Sequence, residues 1–159
     1  MVGVTRWLDE DEQRTWRSFL ATSELLYGAL DRQLQRDAGI THASYIVMAM
    51  LSEAPDRALR MSDLAVAANS SPSRLSHAVA RLEERGWVRR EPAPKDGRGT
   101  VAVLTDAGMD MLAKTAPGHV TAVREHLFDR LSPEQVRDLG DICGAVLDAL
   151  NPNRVAPPC

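Results

Sequence analysis

The chain has 159 residues, of which 44% are apolar and only 4% aromatic, a composition that suits packed helices better than a β-sandwich. The net charge of −3 argues against a uniformly basic surface for nucleic acid. The longest apolar run, residues 45–51, is far shorter than the roughly 20 residues of a membrane span, and the acidic N-terminus is unlike a signal peptide. We therefore expect one compact, cytoplasmic protein without a membrane partner.

The net charge hides an asymmetry along the chain. Residues 60–100 carry eight basic and five acidic side chains, whereas the remainder carries eleven basic and seventeen acidic ones. A basic middle between acidic ends indicates that only the middle faces a polyanion.

The N-terminal region is predicted to be one long helix. Asp9 and Glu12 have the spacing of a capping box, and apolar residues recur at three- and four-residue steps as far as Gly39. Such a helix is roughly 40 Å long at 1.5 Å per residue, longer than a small core requires. Part of its apolar stripe is therefore expected to pack against another chain. The stripe contains Trp16, Phe19, Leu20, Leu26, Tyr27, Leu30 and Leu34.

Three further helices are predicted between residues 41 and 86. Thr41 can cap a strongly apolar helix that ends before Pro55, and Ser62 is expected to cap a short helix that stops at Asn69. Ser71 and Pro72 then have the residue types of a cap and a first helical position, and Gly86 provides the stop. Two helices joined by so short a turn predict a helix-turn-helix.

The third of these helices has an outward face that suits the DNA major groove. Leu75, Val79 and Leu82 share one side, which leaves small, polar and basic residues on the other. Arg74 and His77 can reach base edges. A solvated amphipathic helix fits this segment equally well when it is taken alone. The candidate DNA contacts here are Ser71, Ser73, Arg74, Ser76, His77 and Arg81.

After Gly86 the apolar period changes from helical to extended. Residues 87–91 and 100–104 are predicted strands of a hairpin with a long, charged tip. Lys95 and Arg98 add positive charge, and Asp96 could brace the tip. An arginine on a protruding loop can probe the minor groove, although a charged tip alone is usually an ordinary soluble turn.

The C-terminal part is predicted to be helical. Thr105 can cap a helix that should kink or restart at Pro117 and run to about Leu131. Ser132 then opens a last helix with a capping box and a continuous apolar stripe. Residues 151–159, with three prolines, are expected to form a disordered tail.

Three segments together resemble a known family. The stretches Ser73–Arg90, Asp96–Gly99 and Leu104–Gly108 closely resemble the MarR family of winged helix-turn-helix regulators, and the likeness covers about residues 9–150. The resemblance implies a mainly α fold with a small β-hairpin wing. It also implies a homodimer that binds double-stranded DNA, as a repressor or a dual regulator, on an inverted-repeat operator.

The resemblance implies a division of the chain. Residues 1–40 and 105–150 would form the dimerisation region, and residues 41–104 the DNA-binding domain. Within that domain the recognition helix would lie at about 72–86 and the wing at about 87–104.

The family's wing motif, an Asp, one residue and an Arg, falls on Asp96 and Arg98. The resemblance implies that Arg98 enters the minor groove while Asp96 orders the wing. It further implies that a small aromatic or anionic effector releases the DNA. Simple core packing is the alternative for the residues that would approach this effector. They are Trp16, Phe19, Leu20, Tyr45 and Met48.

Other kinds of site are not indicated. The four histidines, His42, His77, His119 and His126, are scattered and predict no metal site, and no cofactor is expected. Cys143 lies within an apolar stripe and is interpreted as a small hydrophobic residue.

Two alternatives to a DNA-binding regulator are considered. The overall negative charge keeps open a protein-interaction module that retains the winged-helix fold. An enzyme is disfavoured, because the sequence contains no activated nucleophile, phosphate-cradling loop or dinucleotide fingerprint.

Overall fold

The computed structural model describes residues 4–93 and 99–151, and within them the fold is mainly helical, as predicted. A small antiparallel sheet accompanies the helices in the order β1-β3-β2. Two single turns of 3₁₀ helix, Pro55–Arg57 and Phe128–Arg130, connect longer elements. The elements are α1 (Glu10–Ala38), α2 (His42–Glu53), β1 (Ala58–Arg60), α3 (Met61–Ala67), α4 (Pro72–Glu84), β2 (Val88–Pro92), β3 (Thr100–Leu104), α5 (Asp106–His126) and α6 (Pro133–Leu150).

The predicted helix starts at both ends of the chain are confirmed. At α1 the Glu12 backbone N–H donates to the Asp9 carboxylate at 2.8 Å, and the Asp9 backbone N–H donates to Glu12 at 3.0 Å. Ser132 and Gln135 make the same reciprocal pair at α6. Gly39 ends α1 with a φ of 63°, a left-handed conformation that glycine adopts without a steric penalty.

The predicted start of the short helix α3 is wrong. Arg60, not Ser62, is the N-cap, and no side chain caps the helix there. Ser62 lies inside α3, where its hydroxyl donates to the Asp63 carboxylate at 3.1 Å. The strand β1 runs directly into the helix and holds Arg60 in an extended conformation. Strand β1 was not predicted, because three residues are too few to show an alternating pattern.

The predicted restart at Pro117 is also wrong. Helix α5 runs without a break from Asp106 to His126 with Pro117 inside it, although a proline removes one backbone donor. The Pro117 carbonyl accepts a hydrogen bond from the Thr121 hydroxyl at 3.0 Å. The helix ends at His126, before the predicted Leu131, and a 3₁₀ turn follows.

The hydrophobic core lies where α2, α3 and α4 pack against the sheet, closed by the end of α1 and the start of α5. The predicted hairpin is confirmed: β2 and β3 pair antiparallel, with Val88 opposite Leu104. Strand β1 adds to the other side of β3. The largest fully buried side chains include Leu34, Met48, Leu51, Leu64, Leu75, Val79, Leu82 and Val88.

Helix α5 begins in close contact with the first residues after α4. The Thr105 backbone N–H donates to the Trp87 carbonyl at 3.0 Å, and its hydroxyl donates to the Gly86 carbonyl at 2.7 Å. A Cβ atom at Gly108 would lie 2.1 Å from the Trp87 carbonyl oxygen. Gly108 is therefore the residue that permits this approach.

We expect Gly108→Ala to lower the free energy of unfolding by about 1–3 kcal/mol, because the added methyl group would overlap the Trp87 carbonyl group. Urea denaturation followed by circular dichroism, at one fixed protein concentration, measures this. The matched control is Gly140→Ala in α6, where a Cβ meets nothing within 4 Å. The control should be neutral or stabilising by up to about 1 kcal/mol. Equal stability of the two variants would show that the close approach at Gly108 is wrong.

Candidate nucleic-acid interface

Helix α4 begins with the predicted cap. The Ser71 hydroxyl accepts a hydrogen bond from the Arg74 backbone N–H at 3.3 Å, and Pro72 occupies the first helical position. Asn69, in the turn after α3, has a φ of 47°, the left-handed conformation that its residue type tolerates. The turn between α3 and α4 therefore has the compact form that a helix-turn-helix requires.

The two faces of α4 are divided as predicted. Leu75, Val79 and Leu82 are buried together with Ala78, so the polar residues of the helix point away from the core. The outward side is exposed and carries side chains that can donate hydrogen bonds to bases and phosphates. The predicted contacts Ser71, Ser73, Arg74, Ser76, His77 and Arg81 are all exposed.

Arg90 on β2 connects the wing to α4. Its guanidinium Nη2 donates to the Ser76 carbonyl at 2.8 Å, and its Nη1 lies 3.3 Å from the Glu83 carboxylate. The Arg90 backbone N–H also donates to Glu83, at 3.0 Å. The first strand of the wing is thus fixed to the recognition-helix candidate at two points. The ion pair between Arg90 and Glu83 was not predicted from the sequence, although the two residues lie on either side of Gly86.

An open cleft of about 360 Å³ lies between the start of α4 and the wing. It is lined by two arginines and three hydroxyl-bearing residues, together with Met61, Pro72 and Gly99. The arginines are Arg60 and Arg90, and the hydroxyl-bearing residues are Ser62, Ser76 and Thr100. Guanidinium and hydroxyl donors in one concave place suit a phosphate or another oxyanion. The cleft adjoins the exposed face of α4 through Ser76.

The predicted wing-tip residues Lys95, Asp96 and Arg98 lie outside the described part of the chain. The strands on either side of them form the predicted hairpin, and Gly99 lines the cleft beside α4.

The predicted effector residues occupy two different settings. Trp16, Phe19 and Leu20 lie on α1 with about half of each side chain exposed, and the rings of Trp16 and Phe19 are 6.1 Å apart. Tyr45 and Met48 are buried in α2, and Met48 has no exposed surface. A ligand could touch the first group directly, whereas it could reach Met48 only if the core opened.

The histidines are not all scattered, which corrects the expectation from sequence. The ring centroids of His42 and His119 lie 5.5 Å apart, at the meeting point of α1, α2 and α5. Within residues 4–93 and 99–151, no group of three or more His, Cys, Asp or Glu side chains could hold a metal ion. Cys143, expected to behave as a small core residue, is exposed in the single chain.

No helix in the described part of the chain is long and apolar enough to cross a membrane.

Comparison with known proteins identifies the family. A sequence model of the MarR family matches residues 38–99. The crystal structure of Sco3205, a MarR family transcriptional regulator from Streptomyces coelicolor in complex with DNA, is 53% identical to the chain. The similarity covers 98% of this chain and 97% of that one, with a TM-score of 0.91. The chain belongs to the MarR family.

Two further relatives agree with this assignment to the MarR family. AbsC, a MarR family transcriptional regulator from Streptomyces coelicolor, is 41% identical over 94% of this chain and 100% of its own, with a TM-score of 0.87. The HTH-type transcriptional repressor Rv2887 of Mycobacterium tuberculosis is 32% identical over 100 residues, which are 63% of this chain and 70% of that protein. As a MarR family member, the chain is a DNA-binding transcriptional regulator and not an enzyme.

We expect Arg90→Ala to lower the free energy of unfolding by about 1–3 kcal/mol, because Ser76 and Glu83 lose a partly buried, charged hydrogen-bonding partner. Urea denaturation at fixed protein concentration measures this change. The neighbouring Arg89 pairs with Glu91 at the surface, so Arg89→Ala should change stability by no more than about 0.5 kcal/mol. If both variants behaved like the parent, the proposed attachment of the wing to α4 would contribute nothing.

Proposed function

We propose that the chain is a homodimeric repressor that binds an inverted-repeat operator, with α4 in the major groove and the wing in the adjacent minor groove. The exposed polar and basic face of α4 carries this proposal, because its inward face is fully used by the core. In the same proposal residues 41–104 form the DNA-binding unit, while 1–40 and 105–150 form the dimerisation region.

The proposed DNA contacts divide by groove. On α4, Arg74 and His77 lie where they can reach base edges, and the serines near the helix start donate to phosphates. The cleft beside Arg90 is suited to one backbone phosphate. At the wing, Arg98 is proposed to enter the minor groove while Asp96 orders the tip. The full set is Ser71, Ser73, Arg74, Ser76, His77, Arg81, Lys95, Asp96 and Arg98.

Uncovered apolar surface supports the proposed homodimer. No residue of α6 is buried within the single chain, and Ile142, Val146 and Leu150 are each more than half exposed. Trp16 and Phe19 leave a second apolar surface on α1. Soluble proteins rarely leave large apolar stripes in water, and a second copy of the chain would cover them.

A two-fold dimer fixes the form of the operator. Its two recognition helices would enter successive major grooves, about one DNA turn or roughly 34 Å apart. Each helix would read the same half-site in opposite orientation, so the operator is proposed to be an inverted repeat.

We also propose a small aromatic or anionic effector, as the likeness to the family implies. Trp16, Phe19 and Leu20 offer it exposed apolar surface, while contact with Tyr45 and Met48 would require rearrangement of α2. This proposal is tested by adding benzoate, a simple aromatic anion, to the DNA-binding assay described below. We expect benzoate to release the protein from the DNA.

DNA is a better-supported partner than the protein partner of an interaction module. The family assignment and the DNA complex of a relative 53% identical to the chain favour DNA as the partner.

We expect Arg74→Ala to weaken binding to the DNA upstream of the chain's own coding sequence by about 1–3 kcal/mol and to relax sequence preference. The reason is the loss of a base-edge contact. Fluorescence anisotropy at several salt concentrations, with a scrambled duplex in parallel, measures both effects. Arg98→Ala should likewise weaken binding.

Arg124→Ala is the matched control for this assay. It removes the same charge from an exposed ion pair with Asp129 at the end of α5, and it should leave DNA affinity unchanged. Parent binding that does not fall with salt would exclude phosphate contacts and contradict the proposal.

We expect Val146→Asp to convert the dimer into monomers, because it places a charge in the exposed apolar stripe of α6. Analytical ultracentrifugation measures the change in mass. Ala145→Asp adds the same charge about 100° around the helix, on the side that carries Asp138, Asp141 and Asp148, and should leave the dimer intact. A parent chain that sediments as a monomer at micromolar concentration would contradict the proposed homodimer.

A further inference from the structure

Four aromatic rings form a packed junction where α1, α2 and α5 meet. The Tyr27 ring of α1 lies edge-on to His42 of α2, with centroids 4.8 Å apart. His42 in turn lies 5.5 Å from His119 of α5, which packs against Tyr45 of α2 at 4.3 Å. We call these four residues the aromatic junction. Its members come from three separate segments of the chain, so it joins them directly.

Hydrogen bonds to α1 hold the His119 imidazole and the His42 backbone in place. The His119 Nδ1 lies 3.3 Å from the Gln33 amide oxygen, and the Gln33 amide nitrogen donates to Asp37 at 2.8 Å. The His42 backbone N–H donates to the Asp31 carboxylate at 2.7 Å. The carboxylates of Asp31 and Asp37 therefore face the junction from α1. His119 and Gln33 are both more than nine-tenths buried.

This environment favours neutral imidazoles. Burial lowers the pKa of His119, and the neighbouring His42 lowers it further. Burial also lowers the pKa of His42, although the Asp31 carboxylate acts in the opposite direction. Burial raises the pKa of Tyr45, so that its phenol stays neutral as well. His42 is the first residue of α2, where the positive end of the helix dipole opposes an added proton.

The direction of the pH effect follows from these lowered values. A histidine with a lower pKa in the folded than in the unfolded protein contributes stability that is complete well above the unfolded value of 6.5. That contribution is lost as the pH falls from about 6.5 towards the folded value. A protonated ring must then either remain buried at a cost or leave the packed position. Mild acid therefore acts specifically against the packing of α1, α2 and α5 at the junction.

We propose that the aromatic junction is a proton-sensitive lock, which holds the helix-turn-helix against α1 and α5 while both imidazoles are neutral and loosens in mild acid, lowering operator affinity. The lock can act on DNA binding because α2 carries the junction on one side and buried core contacts to α4 on the other. Met48 and Leu51 of α2 belong to the same core as Leu75 and Val79 of α4. This inference rests on the proposed function, since it concerns the affinity of that DNA interface.

His77 provides an effect of the opposite sign and must be separated. It lies exposed on α4, and a proton there adds positive charge beside the DNA, which strengthens binding. The experiment therefore uses His77→Gln as its reference protein. Against that reference, any acid-induced loss of affinity comes from elsewhere in the chain.

Operator binding by the reference protein is measured by fluorescence anisotropy from about pH 8 to pH 5, at constant ionic strength. The expected result is a fall in affinity as the pH decreases. Each unit by which loosening of the junction raises the pKa of one of its histidines accounts for at most about a tenfold fall. Adding His119→Asn keeps a polar nitrogen near the position of Nδ1 but removes the titration, so the pH dependence should flatten. Adding His126→Asn, at an exposed position in the last turn of the same helix, should leave it unchanged.

Two further measurements keep the test decisive. His42→Gln removes the other ring and should also flatten the profile, so the test does not depend on the folding of one variant. Nuclear magnetic resonance titration of the reference protein without DNA should show two imidazoles with a pKa below 6.5. A reference protein that binds its operator at pH 8 with unchanged affinity at pH 5 overturns the lock and leaves the proposed function intact. Absence of operator binding by the parent protein at pH 8 would instead overturn the proposed function.

Discussion

The burial of one side of α4 is the constraint on which the rest of the structure depends. Leu75, Val79 and Leu82 are fixed in the core, so the rotation of the helix about its own axis is fixed as well. A helix that turned by even one residue, about 100°, would present a different set of side chains to solvent. The buried apolar side chains thus determine which polar side chains α4 presents outward and, in the proposed function, to DNA.

Two polar attachments extend this fixed orientation to the neighbouring elements. Arg90 ties the first wing strand to Ser76 and Glu83 of α4. Thr105 ties the start of α5 to the carbonyl groups that follow α4. The wing and α5 are therefore positioned relative to the same helix. A displacement of α5 relative to α4 would therefore have to break these hydrogen bonds or carry the end of α4 with it.

Local features of the fold were predictable because they depend on residues a few positions apart. The capping boxes at Asp9 and Ser132, the cap at Ser71 and the stop at Gly39 were all read from neighbours in the chain. Strand β1 was missed because its pairing with β3 is not local. The continuity of α5 through Pro117 was missed because the prediction gave one helix-breaking proline more weight than the helix-favouring residues on either side of it.

The same distinction between local and long-range features applies to the candidate site. The exposed face of α4 follows from helical periodicity, and the hairpin follows from a change of period, so both were predictable. The contact between His42 and His119 joins residues far apart in the chain, and no spacing rule applies to such a pair. The bonds from Arg90 to α4 depend on how the strand turns back over the helix, which a one-dimensional pattern does not contain.

The segregation of charge along the chain affects the time course of binding. Helix α1 opens with Glu10, Asp11 and Glu12, while positive charge is concentrated between residues 60 and 100. In the field of a DNA duplex such a molecule experiences a torque as well as an attraction. It is turned before contact so that the acidic end points away, and a larger fraction of collisions begins in a productive orientation. The acidic residues that reduce the net attraction therefore help to orient the encounter.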